Sequence, residues 1–163
     1  MLQTVSAQTK DKPFLLQLYA SSRADEVYAW GWNEEMINAF LEMQWNAQQQ
    51  YYASRYPEAE HLIIYSHQHR AGNMIISHTP RRLTLVDITL LPEYRNQKIG
   101  TQLLQQLQYK ASSLSIPFQL SVLKTNPAYH LYQRLGFKCS GGNDLYHFLE
   151  WTHQNSLFRG DES

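Results

Sequence analysis

Hydrophobic and polar positions change period several times along the 163 residues. Leu2 to Ser6 reads as a short strand. Asp11-Lys12-Pro13 supplies a helix start, a capping acid followed by an early proline, and leads into Phe14-Leu15-Leu16-Gln17-Leu18-Tyr19. Asn33-Glu34-Glu35 is a second start signal. Ile37, Phe40, Leu41, Trp45 and Tyr52 then recur near helical spacing until Tyr56-Pro57 stops the run. The link between these helices, Tyr28-Ala29-Trp30-Gly31-Trp32, is aromatic with a glycine in its middle.

The period then shortens. His61 to Tyr65 and Asn73 to Ser77 read as two strands around a turn at Arg70-Ala71-Gly72. Leu83 to Leu91 is apolar on both alternating faces except for Asp87 and the threonines, the pattern of a central strand covered on both sides, and Pro92 ends it. Ile99, Leu103, Leu104, Leu107, Ala111 and Leu114 trace one face of a long helix. A strand over 117–123 follows, then a short helix from about Asn126 to Leu135 closed by Gly136 as its left-handed C-cap. Two strands near 137–140 and 144–150 complete a single domain over 1–151, and 152–163 form a polar tail.

Composition narrows the function classes. Apolar residues make up 43% and charged residues 17%, the balance of a globular chain. Lys plus Arg equals Asp plus Glu at 14 each, which argues against a general nucleic-acid or membrane-surface binder. The single cysteine, Cys139, rules out an intrachain disulfide and a Cys-based zinc site. With no long apolar run, the expected location is the cytoplasm. His67 and His69 alternate as strand neighbours would, but no third ligand has useful spacing, so no metal is expected.

Two stretches carry candidate chemistry. The first runs from Leu83 through Pro92-Glu93-Tyr94-Arg95-Asn96-Gln97-Lys98-Ile99-Gly100-Thr101, a strand, a proline turn, and a basic loop opening a helix. Unpaired N–H groups at a helix N-terminus, with the helix dipole, make an anion site that suits a pyrophosphate, and Arg95 and Lys98 add positive charge. An ordinary βα turn with solvated basic residues has the same appearance, and neither the P-loop nor the GxGxxG spacing is present. The second stretch is a strand ending at Leu123, then Asn126-Pro127-Ala128-Tyr129-His130-Leu131-Tyr132, closed by Leu135-Gly136-Phe137.

Taken together, the two stretches resemble the GNAT superfamily of N-acetyltransferases. That family shows V-x-P-x-[YF]-[RQ] at a strand end, the loop [RQ]-x-x-G-x-[GA], then N-x-A-x-x-L-Y-x-x-x-G-F, in this order and at this spacing. The resemblance implies an α/β fold, a mixed, mostly antiparallel sheet splayed at its centre with helices on both faces. Acetyl-CoA as acetyl donor would enter between the 83–91 and 117–123 strands. It implies an acyltransferase with an amine-bearing small molecule or peptide as acceptor, and it leaves a homodimer open. Ile88, Thr89 and Leu90 would offer backbone groups to the pantetheine arm. Arg95, Asn96, Gln97, Lys98, Ile99, Gly100 and Thr101 would wrap the pyrophosphate. Asn126 would touch the cofactor arm, and Tyr132 would stand near the thioester sulfur and protonate the departing thiolate.

Two features depart from the family pattern. Asn96 and Lys98 stand where glycines are usual, and Lys98 fits there provided its φ is negative and its ammonium turns to a phosphate. No carboxylate base carries over from the family. Asp87 is the acid inside the central strand, where burial would raise its pKa, and it is equally readable as a hydrogen-bonded structural acid with a water relay serving as base. A CoA-binding module without catalysis is the competing class. Of the aromatic residues Tyr28, Trp30, Trp32, Trp45, Tyr51 and Tyr52, half or more are expected in the core.

Overall fold

The computed structural model describes residues 1–153, so the expected polar tail from residue 154 onward lies outside the described residues. The chain runs β1 (Leu2–Ser6), α1 (Lys12–Tyr28), α2 (Glu34–Arg55), β2 (Ala59–Ser66), β3 (His69–His78), β4 (Leu83–Leu90), α3 (Ile99–Ser113), β5 (Phe118–Leu123), α4 (Ala128–Arg134), β6 (Lys138–Gly142) and β7 (Tyr146–Trp151). The strands order as β1-β2-β3-β4-β5-β7-β6 in a mixed, mostly antiparallel seven-stranded sheet. Its parallel pair is β4 with β5, joined through α3 as parallel neighbours require. That ladder holds only Leu83↔Phe118, Thr84↔Gln119 and Leu85↔Leu120, although β4 continues to Leu90 and β5 to Leu123.

The described fold divides into two compact units, and β3 and β4 each contribute to both. The first comprises 1–75 and 87–96. In it Phe14, Leu15 and Leu18 of α1 bury against Ile63 and Leu91, with Trp45 and Tyr94 packed around them. A second cluster, Val27, Ile37 and Leu41, closes the α1–α2 hairpin. Asn33 caps α2 by accepting from the Met36 N–H at 2.8 Å, so the sequence signal for that helix start acts through the expected hydrogen bond. The other unit comprises 76–86 and, among the described residues, those from 97 onward. There Leu103, Leu104 and Leu107 of α3 are buried, and Phe118 stacks edge-on with Phe137 at 5.2 Å.

Three local expectations need correction. Asp11 precedes α1 but makes no side-chain cap to it. Its Oδ2 accepts from the Gln8 N–H at 2.8 Å, and its Oδ1 lies 2.8 Å from the Arg70 guanidinium, a close ionic approach that compensates a carboxylate only 3% exposed. The β2–β3 turn is His67-Gln68, not Arg70-Ala71-Gly72. Both turn residues have positive φ, 49° and 70°, as a two-residue hairpin of the right twist requires. His67 therefore leaves the strand, and its alternation with His69 does not survive. The aromatic residues are less buried than expected. Trp45 packs on the core, whereas Trp30 and Trp32 lean on Phe40 at 40% and 41% exposure, and Tyr28 and Tyr51 are mostly exposed.

Candidate active site

The strand–loop–helix at 83–101 is shaped first by a glycine on its neighbour. A Cβ at Gly72 of β3 would stand 2.1 Å from the Thr89 carbonyl oxygen and 3.0 Å from Leu90 Cα, so only glycine lets the β4 backbone lie where it does. The Leu91 N–H donates to the Ala71 carbonyl at 2.8 Å and fixes the strand end. Pro92 then starts a single 3₁₀ turn, after which Arg95 folds back and its Nε donates to the Leu90 carbonyl at 3.1 Å.

The loop then takes two left-handed steps. Asn96 has φ of 62° and Lys98 has φ of 64°. This overturns the condition that Lys98 sit at negative φ, and it explains why the family places glycine at these positions: the turn into the helix demands αL whatever side chain is present. Asparagine adopts αL more readily than most residues; lysine does so at a cost of roughly 1 kcal/mol. Lys98 is the N-cap of α3, and its side chain makes no cap hydrogen bond. Helix geometry gives the first-turn N–H groups no intrahelical acceptor, and nothing lies within 4 Å of a Cβ position at Gly100. Left-handed residues leading into a helix N-terminus make a concave set of N–H donors suited to phosphate oxygens.

The αL geometry sharpens a test of the Lys98 side chain. Alanine at 98 would keep the backbone penalty, but glycine removes it at a comparable cost in unfolded-chain entropy, so Lys98→Gly isolates the ammonium. The expected result by calorimetry is a roughly threefold to tenfold rise in the Kd for CoA at low salt, shrinking in high salt. Unchanged affinity would mean that the ammonium makes no phosphate contact.

Asp87 lies in β4, and β4 is flanked by β3. Some of its surface still reaches solvent, but densely packed neighbours push its pKa up to about 6. Hydrogen bonds from Thr89, Asn73 and the Ile88 backbone oppose that rise; the Thr89 hydroxyl donates at 3.4 Å. Asn73 was not singled out by sequence reasoning. Its Nδ2 lies 2.8 Å from His61 Nε2, and burial depresses the pKa of that imidazole.

The second unit holds the other predicted side chains. Asn126 Oδ1 accepts from the Ala128 N–H at 2.9 Å, so part of this residue is committed to starting α4. Tyr132 is 7% exposed, its ring edge-on to Phe137 at 5.8 Å, while its carbonyl accepts from the Phe137 N–H at 3.1 Å. Gly136 at φ 99° makes that reversal, as the sequence suggested. Asp87, Ile88, Thr89, Leu90, Arg95 and Asn96 thus belong to one unit, and Gln97 to Thr101, Asn126 and Tyr132 to the other. Among the described residues no three His, Cys, Asp or Glu side chains gather as a metal set, and no helix is long and apolar enough to cross a membrane.

Comparison with known proteins gives this geometry a context. The sequence profile of the acetyltransferase (GNAT) domain matches residues 57–139. No curated protein matches the chain. Among solved structures, the PaiA N-acetyltransferase of Thermoplasma acidophilum in complex with coenzyme A superposes with a TM-score of 0.69 at 18% identity, over 94% of this chain and 99% of that one. The Campylobacter jejuni N-acetyltransferase PseH in complex with acetyl coenzyme A does so with a TM-score of 0.59 at 13% identity, over 94% and 99%. An acetyltransferase of Thermus thermophilus gives 0.64 at 16% identity, over 93% and 97%. At these identities the structural likeness speaks for the fold.

Proposed function

The chain belongs to the GNAT acetyltransferase family, and from that premise we propose that it moves an acetyl group from acetyl-CoA to a primary amine by direct attack in a ternary complex. The observation that carries this reading is the start of α3, entered through two left-handed residues and without a cap from the Lys98 side chain, a donor set that fits the pyrophosphate of CoA. Coenzyme A and acetyl coenzyme A in the PaiA and PseH structures support it. The backbone of Ile88, Thr89 and Leu90 takes the pantetheine arm. Arg95, Asn96 and Gln97 join Lys98, Ile99, Gly100 and Thr101 around the phosphates, and Asn126 borders the arm.

The chemistry needs a neutral amine, and an alkyl amine with pKa about 10 is mostly protonated at neutral pH. Asp87, or a water that it polarises, takes the amine proton. The amine nitrogen then attacks the thioester carbonyl, a backbone N–H near Leu90 stabilises the oxyanion, the carbon–sulfur bond breaks as Tyr132 protonates the thiolate, and the remaining excess proton on nitrogen passes through solvent to restore the Tyr132 phenol. The products are the N-acetyl amine and CoA. Incubating acetyl-CoA with peptide N-termini, lysine peptides, polyamines and aminoglycosides, and following free thiol, tests the reading. Amine-dependent thiol release supports it, whereas tight CoA binding without transfer to any amine favours a non-catalytic module.

Asp87 gives the reaction a pH signature. A base works deprotonated, so with a pKa raised to about 6 kcat/KM should climb between about pH 5 and 7 and level off above. In Asp87→Asn that acid limb should disappear. A limb that persists unchanged would assign it to another group.

A further inference from the structure

We infer that Asn73 is a positioning residue for Asp87: its side-chain amide, anchored on the other side by His61, donates to the carboxylate and fixes it for proton transfer. The inference rests on Asp87 as the base. Asn73 is a polar side chain only 6% exposed within β3, flanked in the sheet by β2, which carries His61, and by β4, which carries Asp87. A buried amide must find partners for its N–H groups, and it finds them on both sides: His61 Nε2 at 2.8 Å and the Asp87 carboxylate.

The chemistry of those partners selects one amide orientation. An imidazole nitrogen facing an N–H must be the acceptor, which places the His61 proton on Nδ1 and keeps the ring neutral. Flipping the amide would set Oδ1 against the lone pairs of the ionised Asp87 carboxylate, so Asp87 fixes the nitrogen toward itself and His61 takes the tautomer that accepts from it. The charged group acting on His61 is Asp11, ahead of α1, and Asp11 is itself paired with Arg70 of β3. Burial outweighs that carboxylate and keeps the imidazole in its accepting form. Facing Asp87 are the hydroxyl of Thr89 and the amide of Asn73. Three adjacent strands thus contribute one side chain each to a line ending on the carboxylate.

The test follows the Asp87 carboxylate directly by carbon NMR titration of the full chain labelled at aspartate, beside the pH profile of kcat/KM. Asn73→Leu removes a donor to the charged form, so the Asp87 titration and the acid limb should both move up by about one pH unit. His61→Phe, which removes the amide's second partner and so its anchor, should move them in the same direction. His61→Gln offers an amide oxygen as acceptor and should leave them in place. An Asp87 titration unmoved by Asn73→Leu, or moved equally by His61→Gln and His61→Phe, would overturn the inference. If Asn73→Leu fails to fold, the two His61 variants carry the test alone. An acid limb that survives Asp87→Asn would defeat the base reading instead, and the titrations would still report on the positioning.

Discussion

Tyr132→Phe should lower kcat by about 100-fold or more and leave the Kd for acetyl-CoA nearly unchanged. A phenol stays protonated at neutral pH and can donate as the carbon–sulfur bond breaks. The substitution removes the hydroxyl and keeps the ring. The ring of Tyr132 is 7% exposed and held edge-on by Phe137, which in turn meets Phe118, so phenylalanine inherits the same packing. The backbone reversal at Gly136 depends on main-chain bonds to the Tyr132 carbonyl, which the change leaves intact. A loss confined to kcat therefore reads as chemistry. Should kcat stay within about threefold of the parent in a folded variant, protonation belongs to solvent and Tyr132 is a packing residue.

Gly72→Ala should cost about 3 kcal/mol of stability or more, and with it most CoA binding. The new methyl would meet the Thr89 carbonyl oxygen at 2.1 Å, and its next neighbours are in Leu90, one of them the backbone Cα at 3.0 Å. The Leu90 side chain can turn aside, but the nearest atom is a backbone oxygen, so the β4 backbone must move. The displaced segment is the one assigned to the pantetheine arm, so affinity should fall even in protein that stays folded. Thermal melts and calorimetry on the variant measure both effects. A melting temperature and affinity equal to the parent's would show that β3 and β4 have slack here.

Local signals placed most elements. The Asn33 cap acts through its own side chain, whereas the Tyr56-Pro57 stop, Pro92 after β4 and Gly136 after α4 act through local backbone preference, and each stands where expected. Errors arose where a residue answers to something distant in the chain. Gly72 looked like a turn glycine, but its need comes from Thr89 on another strand, and the turn fell to His67 and Gln68, which carry no strong turn signal. Lys98 shows the same limit: the left-handed φ is set by the entry into α3, not by lysine's preference. His61 and Asn73 were invisible as a pair, because only strand pairing brings an imidazole and an amide twelve residues apart into contact. The loop before α3 and the helix carrying Tyr132 were singled out through family resemblance; the setting of Asp87 was not.

Acetyl transfer itself is tested most directly by isotope. Acetyl-CoA carrying a ¹³C-labelled acetyl group is mixed with the protein and the amine panel, and the amines, the CoA and the intact protein are weighed by mass spectrometry. Direct attack predicts labelled N-acetyl amine and free CoA in equal amounts, with no label left on the protein. Acetyl-CoA recovered intact with every amine, or label retained on a protein side chain, would contradict it.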